Sequence, residues 1–337
     1  MLRAGIIGCG GITERRHAPV LSSLKGRVEL AALSDVSEAR LAFIGDQYGV
    51  PPDHRYTDYE TMLQSGSLDL VHICTPHHLH EPQAVAALQA GAHVLMEKPI
   101  ATSVEEANRI ISAADYAGKK LTISHNQLFR PLHQAVMNHL QQGDIGEVFL
   151  VRTEGLSKHH VVGRGDGQHW RASVASGGGG PLIDNGYHQI YCALKYVQSP
   201  AVRVYARIGR YVRDIDTEDL AMLFIEHDNG ATTSLQVGWC ATTGGIHVEE
   251  IFGKGGQIRL GSPYPLSVWQ EGAEAWSETK VGAEGHDEVG FPPLAEAFIT
   301  AIEDDSPVPV PPEASRDVLA IVRAAYESGE TGQPVNI

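Results

Sequence analysis

Lys98 stands in Glu97-Lys98-Pro99, directly after the short apolar run of residues 92 to 96. If that run is a strand of a doubly wound sheet, the lysine lies at the carboxyl edge where ligands of such sheets bind. An ammonium there can hydrogen-bond a reacting oxygen and stabilise charge that develops on it, whereas on an ordinary surface it is a solvated point charge with no target. Asp184 and His188 lie four apart in GGGGPLIDNGYH, residues 177 to 188, and share one face if a helix begins there. Histidine exchanges a proton near neutral pH. The carboxylate beside it can orient the imidazole or bind a substrate hydroxyl; the plainer alternative is a capping aspartate and a core histidine.

A second kind of chemistry is written at the start of the chain. Gly8-Cys9-Gly10-Gly11-Ile12-Thr13 falls where an apolar run turns into a helix-compatible segment, a place where backbone amides and the helix dipole hold a pyrophosphate. The third fingerprint position is Thr13 in place of Gly or Ala, so the helix must pack on the strand with a branched side chain between them. Asp35 ends the next apolar run, where a carboxylate accepts hydrogen bonds from the adenosine ribose and repels the 2'-phosphate of NADP. Arg40 is five residues further on, which favours NAD; NADP stays open, as does a helix-capping role for Asp35.

These residues need elements to hold them. Residues 2 to 8 and 28 to 33 predict buried strands joined by a glycine turn and a helix, a βαβ unit. Strands at 69 to 74, 92 to 96 and 120 to 124 alternate with helices near 37 to 48, 81 to 90 and 103 to 117, which predicts a parallel sheet. Ser103 and Glu106 spell a capping box at the last of these helices. From residue 147 the pattern changes to period-2 segments joined by Asn-Gly and Gly-Gly turns, which predicts a mostly antiparallel sheet, closed by helices near 294 to 303 and 313 to 328. The fold class expected is therefore α/β: an N-terminal Rossmann domain over residues 1–124 that binds NAD(P), then residues 125–337, an α/β domain with a large open sheet for substrate binding and oligomerisation.

With 41 acidic against 26 basic residues the net charge is -15, which repels a polyanion, so no nucleic-acid partner is expected. No apolar stretch approaches the ~20 residues of a membrane span, and the glycine-broken N-terminal run is too short for a signal core. Four scattered cysteines, Cys9, Cys74, Cys192 and Cys240, form no CxxC pair; a reducing, cytoplasmic location is expected. Histidines 77, 78 and 80, and 159, 160 and 169, cluster without a convincing ligand pattern, so no metal is expected. The loop 157 to 171 is read as shaping a substrate pocket; its Arg164 and Arg171 suit a carboxylate, neutral hydroxyls or a subunit interface.

Taken together the chain resembles the Gfo/Idh/MocA oxidoreductases, the group of glucose-fructose oxidoreductase and inositol dehydrogenases. The resemblance rests on GIIGCGGIT at the start, CTPHHLH at 74 to 80, MEKPIA at 96 to 101, HNQLFRP at 125 to 131, HWR at 169 to 171, the glycine run with Asp184 and His188, and AAYESGETGQPV near the end. It implies that Lys98, Asp184 and His188 are catalytic, with Lys98 or His188 handling the hydroxyl proton. It also implies that Gly8, Gly10, Gly11, Ile12, Asp35, Thr75, Pro76, His80, Glu97, Lys98 and Asn126 line an NAD site, with His77 in its wall. Trp170 and Arg171 are implied near nicotinamide or substrate. The expected reaction moves hydride between nicotinamide and a secondary alcohol or hemiacetal carbon of a sugar, inositol or sugar acid. The expected assembly is a homodimer or homotetramer, because a broad apolar sheet face is costly in water. Two rival readings remain: a redox-neutral isomerase, epimerase or glycosidase that returns the hydride, and a non-catalytic nucleotide-binding regulator.

Overall fold

Two β-sheets organise the chain in the computed structural model, which describes residues 1–65, 67–158, 169–262, 264–279, 281 and 290–337. The first holds β1 (Leu2–Ile7), β2 (Val28–Ser34), β3 (Arg55–Tyr56), β4 (Leu70–Ile73), β5 (His93–Met96) and β6 (Leu121–Ile123), all parallel, in the order β3-β2-β1-β4-β5-β6. Its central strands carry Ala4, Ile6, Ile7, Leu70, Val71, Ile73, Val94, Leu95 and Met96, all buried. Such largely apolar strands, interrupted in β4 by the buried His72, belong to a sheet covered on both faces by helices. The crossover helix Val104–Ala117 starts at the Ser103–Glu106 capping box and stops at Gly118, whose φ of 61° suits a left-handed C-terminal cap.

The second sheet comprises β7 (Val148–Leu156), β8 (Ala201–Gly209), β9 (Leu220–His227), β10 (Thr232–Gly238), β11 (Ile246–Gly253), β12 (Gly256–Ser262), β13 (Tyr264–Gln270), β14 (Ser277–Glu278) and β15 (Val335–Asn336). Their order is β14-β13-β12-β11-β7-β10-β9-β8-β15, antiparallel except for the β7–β10 pair. In β9, Ala221, Leu223 and Ile225 are buried while Met222, Phe224 and Glu226 are exposed, the period-2 signature of a sheet with one covered face. The helix Tyr187–Val197 packs against β7 and β10 on the covered side.

The chain forms two compact units. The first consists of Met1–Asn126 and Phe291–Arg316, the second of Gln127–Gly290 and Asp317–Ile337. Within the first, the helix Phe291–Glu303 lies on the first helix and β5, and Arg27 donates to Glu303 and Thr300 on it. Among the described residues no helix is long and apolar enough to cross a membrane.

Candidate active site

In the first unit, β1 runs into Gly8 at φ +94°, and a Cβ there would lie 2.7 Å from the carbonyl oxygen of Cys74. Only glycine permits both the left-handed backbone and this approach to the end of β4. At Gly10 a Cβ would meet nothing within 4 Å, so the space before this backbone is open, as a pyrophosphate cradle requires. Thr13 is wholly buried, and its hydroxyl donates to Gly8 O at 2.5 Å. The branched side chain is thus absorbed by a hydrogen bond across the turn. The first helix carries a π segment, Thr13–His17, in which Ala18 N reaches back to Thr13 O. The proline two residues into the following α segment, Pro19, has no N–H to give Arg15 O, which accepts from Arg16 Nη1 at 3.2 Å.

The Asp35 carboxylate closes onto this turn, accepting Cys9 N at 2.6 Å and Ser37 N at 2.9 Å. The cap of helix Glu38–Tyr48 is Ser37, whose side chain accepts Arg40 N. Burial, with the Asp35 charge adding, pushes the Cys9 thiol up to about 12, so it is no nucleophile. Arg40, set aside in sequence by its five-residue separation, is spatially at the turn: Nε donates to Cys9 O at 2.7 Å and Nη2 to Glu14 at 2.9 Å. With a cation held there, the carboxylate of Asp35 would be what opposes a 2'-phosphate. Asp35→Ser should shift the NADP to NAD ratio of kcat/KM upward by roughly ten- to a hundredfold; an unchanged ratio in steady-state kinetics would refute this role.

The loops after β4 and β5 are tied together by His80, fully buried, with Nδ1 2.7 Å from Pro99 O and Nε2 3.0 Å from Thr75 O. Burial holds this imidazole below its usual pKa, although both carbonyls and Glu97 act the other way. Any effect of His80 on a nucleotide runs through the backbone it fixes. Thr75 in turn donates its hydroxyl to Gln83 at 2.5 Å. Lys98 follows β5, half-buried, with Asn126 half-buried after β6.

Behind Lys98 lies a chain that the sequence did not reveal. His17 Nε2 is 3.0 Å from the Glu97 carboxylate, and His17 Nδ1 is 2.9 Å from His72 Nδ1. Burial, then the neighbouring His17, keeps His72 well below the usual imidazole pKa, hence neutral. Burial raises the Glu97 carboxyl, but hydrogen bonding and charge from His17, and the charge of Lys98, outweigh it and leave Glu97 below its usual value. With Glu97 an anion, the proton between the two groups sits on His17 Nε2, and of the facing Nδ1 atoms of His17 and His72 one donates to the other. The network holds a carboxylate ionised next to Lys98.

In the second unit, the run Gly177 to Gly180 ends in a π segment, Leu182–Gly186, followed by the helix Tyr187–Val197. Asp184 lies in the π turn and His188 in the first turn of the helix, so the helix expected from the sequence starts with a wider turn. The buried carboxylate of Glu218 fixes this entry: it accepts Gly180 N at 2.9 Å, Leu182 N at 3.0 Å and the Tyr326 hydroxyl at 2.9 Å. A Cβ on Gly179 would run into the Tyr326 hydroxyl, and one on Gly180 into the Glu218 carbonyl. Sequence reasoning missed Glu218, which precedes β9 without a motif, and gave Tyr326 no role.

Asp184 is buried, with Arg171 Nε 3.6 Å from its Oδ2, and the Arg171 guanidinium lies 4.2 Å over the Trp170 ring. Trp170, Arg171 and Asp184 therefore converge, although thirteen residues separate Arg171 from Asp184 in sequence. His188 lines a cavity of about 310 Å³ whose wall includes Arg130, His133, Asn185, Gln189 and Glu249, a volume within the range of small-molecule sites. Among the described residues no cluster of three His, Cys, Asp or Glu side chains could hold a metal ion; His159, His160 and Arg164 lie outside the described residues.

A glycine-turn cradle closed by an acid, at the carboxyl edge of a six-stranded parallel sheet, defines a nicotinamide-dinucleotide site of the Rossmann type. Residues 2–125 match a family model described as the oxidoreductase family with NAD-binding Rossmann fold, and residues 133–259 match the GFO/IDH/MocA C-terminal domain. The chain belongs to the Gfo/Idh/MocA family and is an NAD-dependent oxidoreductase. It is 25% identical to the D-glucoside 3-dehydrogenase of Escherichia coli (strain K12), over 100% of this chain and 97% of that one. It is 28% identical to D-xylose 1-dehydrogenase (NADP(+)) 2 of Haloferax volcanii, over 99% of each. An oxidoreductase from Agrobacterium radiobacter, solved with NAD+, L-tartaric acid and magnesium, superposes with a TM-score of 0.88 at 25% identity, covering 99% of this chain and 98% of that one.

Proposed function

We propose that the enzyme moves a hydride between NAD and a secondary alcohol or hemiacetal carbon of a sugar, an inositol or a sugar acid. The observation that carries this reading is His188, a proton-transfer group, on the wall of a cavity lined by hydrogen-bonding side chains. The names of the relatives, a glucoside and a xylose dehydrogenase, support the same substrate class.

Gly8, Gly10, Gly11 and Ile12 would hold the pyrophosphate and Asp35 the adenosine ribose. Thr75, Pro76, Glu97, Lys98 and Asn126 would form the rest of the cofactor wall, with the buried His80 behind it holding the Thr75 and Pro99 backbone. NAD when bound supplies the hydride acceptor. Catalysis would use Lys98, Asp184 and His188. Either the Lys98 ammonium stabilises negative charge on the reacting oxygen while His188 takes the hydroxyl proton, or Lys98 as a neutral amine takes that proton itself. The Arg171 guanidinium lies between the Asp184 carboxylate and the Trp170 ring, and Trp170 and Arg171 would flank the substrate. The boundary expected after residue 124 needs one correction, since Phe291–Arg316 belong to the first unit: Met1–Asn126 with Phe291–Arg316 would serve as the NAD domain, and Gln127–Gly290 with Asp317–Ile337 as the substrate and oligomerisation domain, in a cytoplasmic protein.

The open face of the second sheet pairs Tyr205 with Phe224 across β8 and β9 and exposes Met222 beside them, flanked by the Arg203–Glu226 ion pair. This mixed face supports a homodimer or homotetramer; light scattering would give the mass. The test of the reaction is NADH absorbance with purified enzyme, NAD and a panel of inositols, aldoses, anhydrosugars and sugar acids. A rise that needs Lys98 and His188 supports the reading. Tight NADH binding without a rise on any member overturns it in favour of redox-neutral or regulatory use of the nucleotide.

A further inference from the structure

Gln189 follows His188 on the helix Tyr187–Val197 and is 6% exposed. Its carboxamide crosses toward β7, where Nε2 donates to Thr153 Oγ1 at 2.9 Å. The crossing depends on Gly155, because a Cβ there would lie 2.8 Å from Nε2. The other end of the amide, Oε1, is buried without a hydrogen-bond partner among the described residues, and Gln189 lines the same cavity as His188. A buried carbonyl oxygen left unpaired is unfavourable, so its position is explained by a partner that arrives with the ligand.

The rest of the wall points to the same kind of partner. Glu249 is buried on β11, where Tyr196 donates to its Oε2 at 3.3 Å and His247 lies 3.5 Å from its Oε1. His133 hydrogen-bonds the Tyr196 hydroxyl, so the carboxylate sits at the end of a relay of ring and hydroxyl groups. Both Glu249 oxygens are met by Tyr196 and His247, so on this wall Gln189 Oε1 is the acceptor that calls for an O–H donor, with the Glu249 carboxylate beside it; a carboxylate or phosphate group has no hydrogen to give at neutral pH and would face both. The wall's guanidinium, Arg130, gives Nη1 to Gln127 Oε1 at 3.0 Å.

We propose that Gln189 is a specificity residue that accepts a hydrogen bond from a neutral substrate hydroxyl, so that this cavity selects uncharged polyols and sugars over the corresponding sugar acids. The proposal rests on the reading of His188 as a group of the substrate site and narrows the substrate class.

The test is isothermal titration of the NAD-loaded enzyme with myo-inositol, D-glucose, L-sorbose and D-gluconate. At least one neutral probe should bind more tightly than D-gluconate. Gln189→Leu should weaken that probe about tenfold, the loss of one hydrogen bond to a buried acceptor, with NAD affinity unchanged. Thr153→Val, which releases the carboxamide without touching the acceptor, should weaken it by a smaller factor and serves as the second variant if Gln189→Leu does not fold. The proposal is overturned if no probe binds, if the neutral probe is insensitive to both variants, or if D-gluconate binds best and weakens on Arg130→Gln alone. Hydride transfer is read separately by NADH absorbance: Gln189-dependent binding without transfer sinks only the proposed reaction, and transfer without Gln189 dependence sinks only this inference.

Discussion

Lys98→Met should lower kcat for hydride transfer by about 10³-fold, within the range that a positioned proton-transfer or charge-stabilising group contributes. The substitution keeps the length of the side chain and removes only the ammonium. In the proposed site the nucleotide would be anchored elsewhere, by the Gly8 to Ile12 turn and by Asp35, whose carboxylate the turn itself holds. NAD affinity measured by fluorescence should therefore fall far less than kcat, by about tenfold at most. The pH profile separates the two possible bases. If His188 takes the hydroxyl proton, the limb of the profile near neutral pH survives in Lys98→Met at a lower plateau; if Lys98 takes it, the limb disappears. A variant that keeps its kcat would remove Lys98 from the chemistry. The ionised Glu97 next to Lys98 sharpens the same experiment: His17→Ala removes the hydrogen bond that keeps that carboxyl low, and the profile should move while the substrate KM does not.

What could be read in the sequence follows from how local each signal is. The strands and crossover helices of the first sheet were legible because an unbroken apolar run, a glycine turn and a capping box are properties of neighbouring residues. The period-2 pattern of β9 likewise revealed a sheet with one open face. Neither π segment was legible. Each interrupts a helix whose local sequence is otherwise helix-compatible, and each depends on a distant or non-periodic partner: the missing N–H of Pro19 in the first, the carboxylate of Glu218, 34 residues beyond Asp184, in the second. The site divides in the same way. Gly8, Gly10, Asp35, Lys98, Asp184 and His188 sit in motifs, whereas His17, His72, Gln189, Glu218 and Tyr326 acquire roles only through contacts between residues far apart in the chain. Arg40 shows the opposite error, since separation along the sequence was taken for separation in space, although a helix cap at Ser37 turns its side chain back to the glycine turn.

Glu218→Ala should be the most damaging single change in the second unit. It strips the acceptor from two buried amides, Gly180 N and Leu182 N, and from the Tyr326 hydroxyl. Each unsatisfied buried group costs about 1–3 kcal/mol, and partial relaxation with water entry makes a total of about 3 kcal/mol reasonable. For a chain of this size that lowers Tm by roughly 6–12 °C, which calorimetry can read. A purely structural role predicts that loss alone. A positioning role predicts more, because Asp184 lies two residues beyond Leu182 on the same π turn: kcat should fall about tenfold or more at a temperature where the variant is folded, with NAD affinity unchanged. The pH dependence of stability checks the assignment by a separate route. Burial raises the Glu218 carboxyl pKa above its usual value despite the three hydrogen bonds it accepts. A raised carboxyl contributes stability that is fully present below the unfolded-state pKa and is lost as pH rises through the folded-state pKa. The stability difference between wild type and Glu218→Ala should therefore be larger at about pH 4 than at pH 7. A difference that instead grew toward neutral pH would mean that the ionised carboxylate is favoured in the folded protein, and that the amides of the glycine run outweigh the burial that surrounds them.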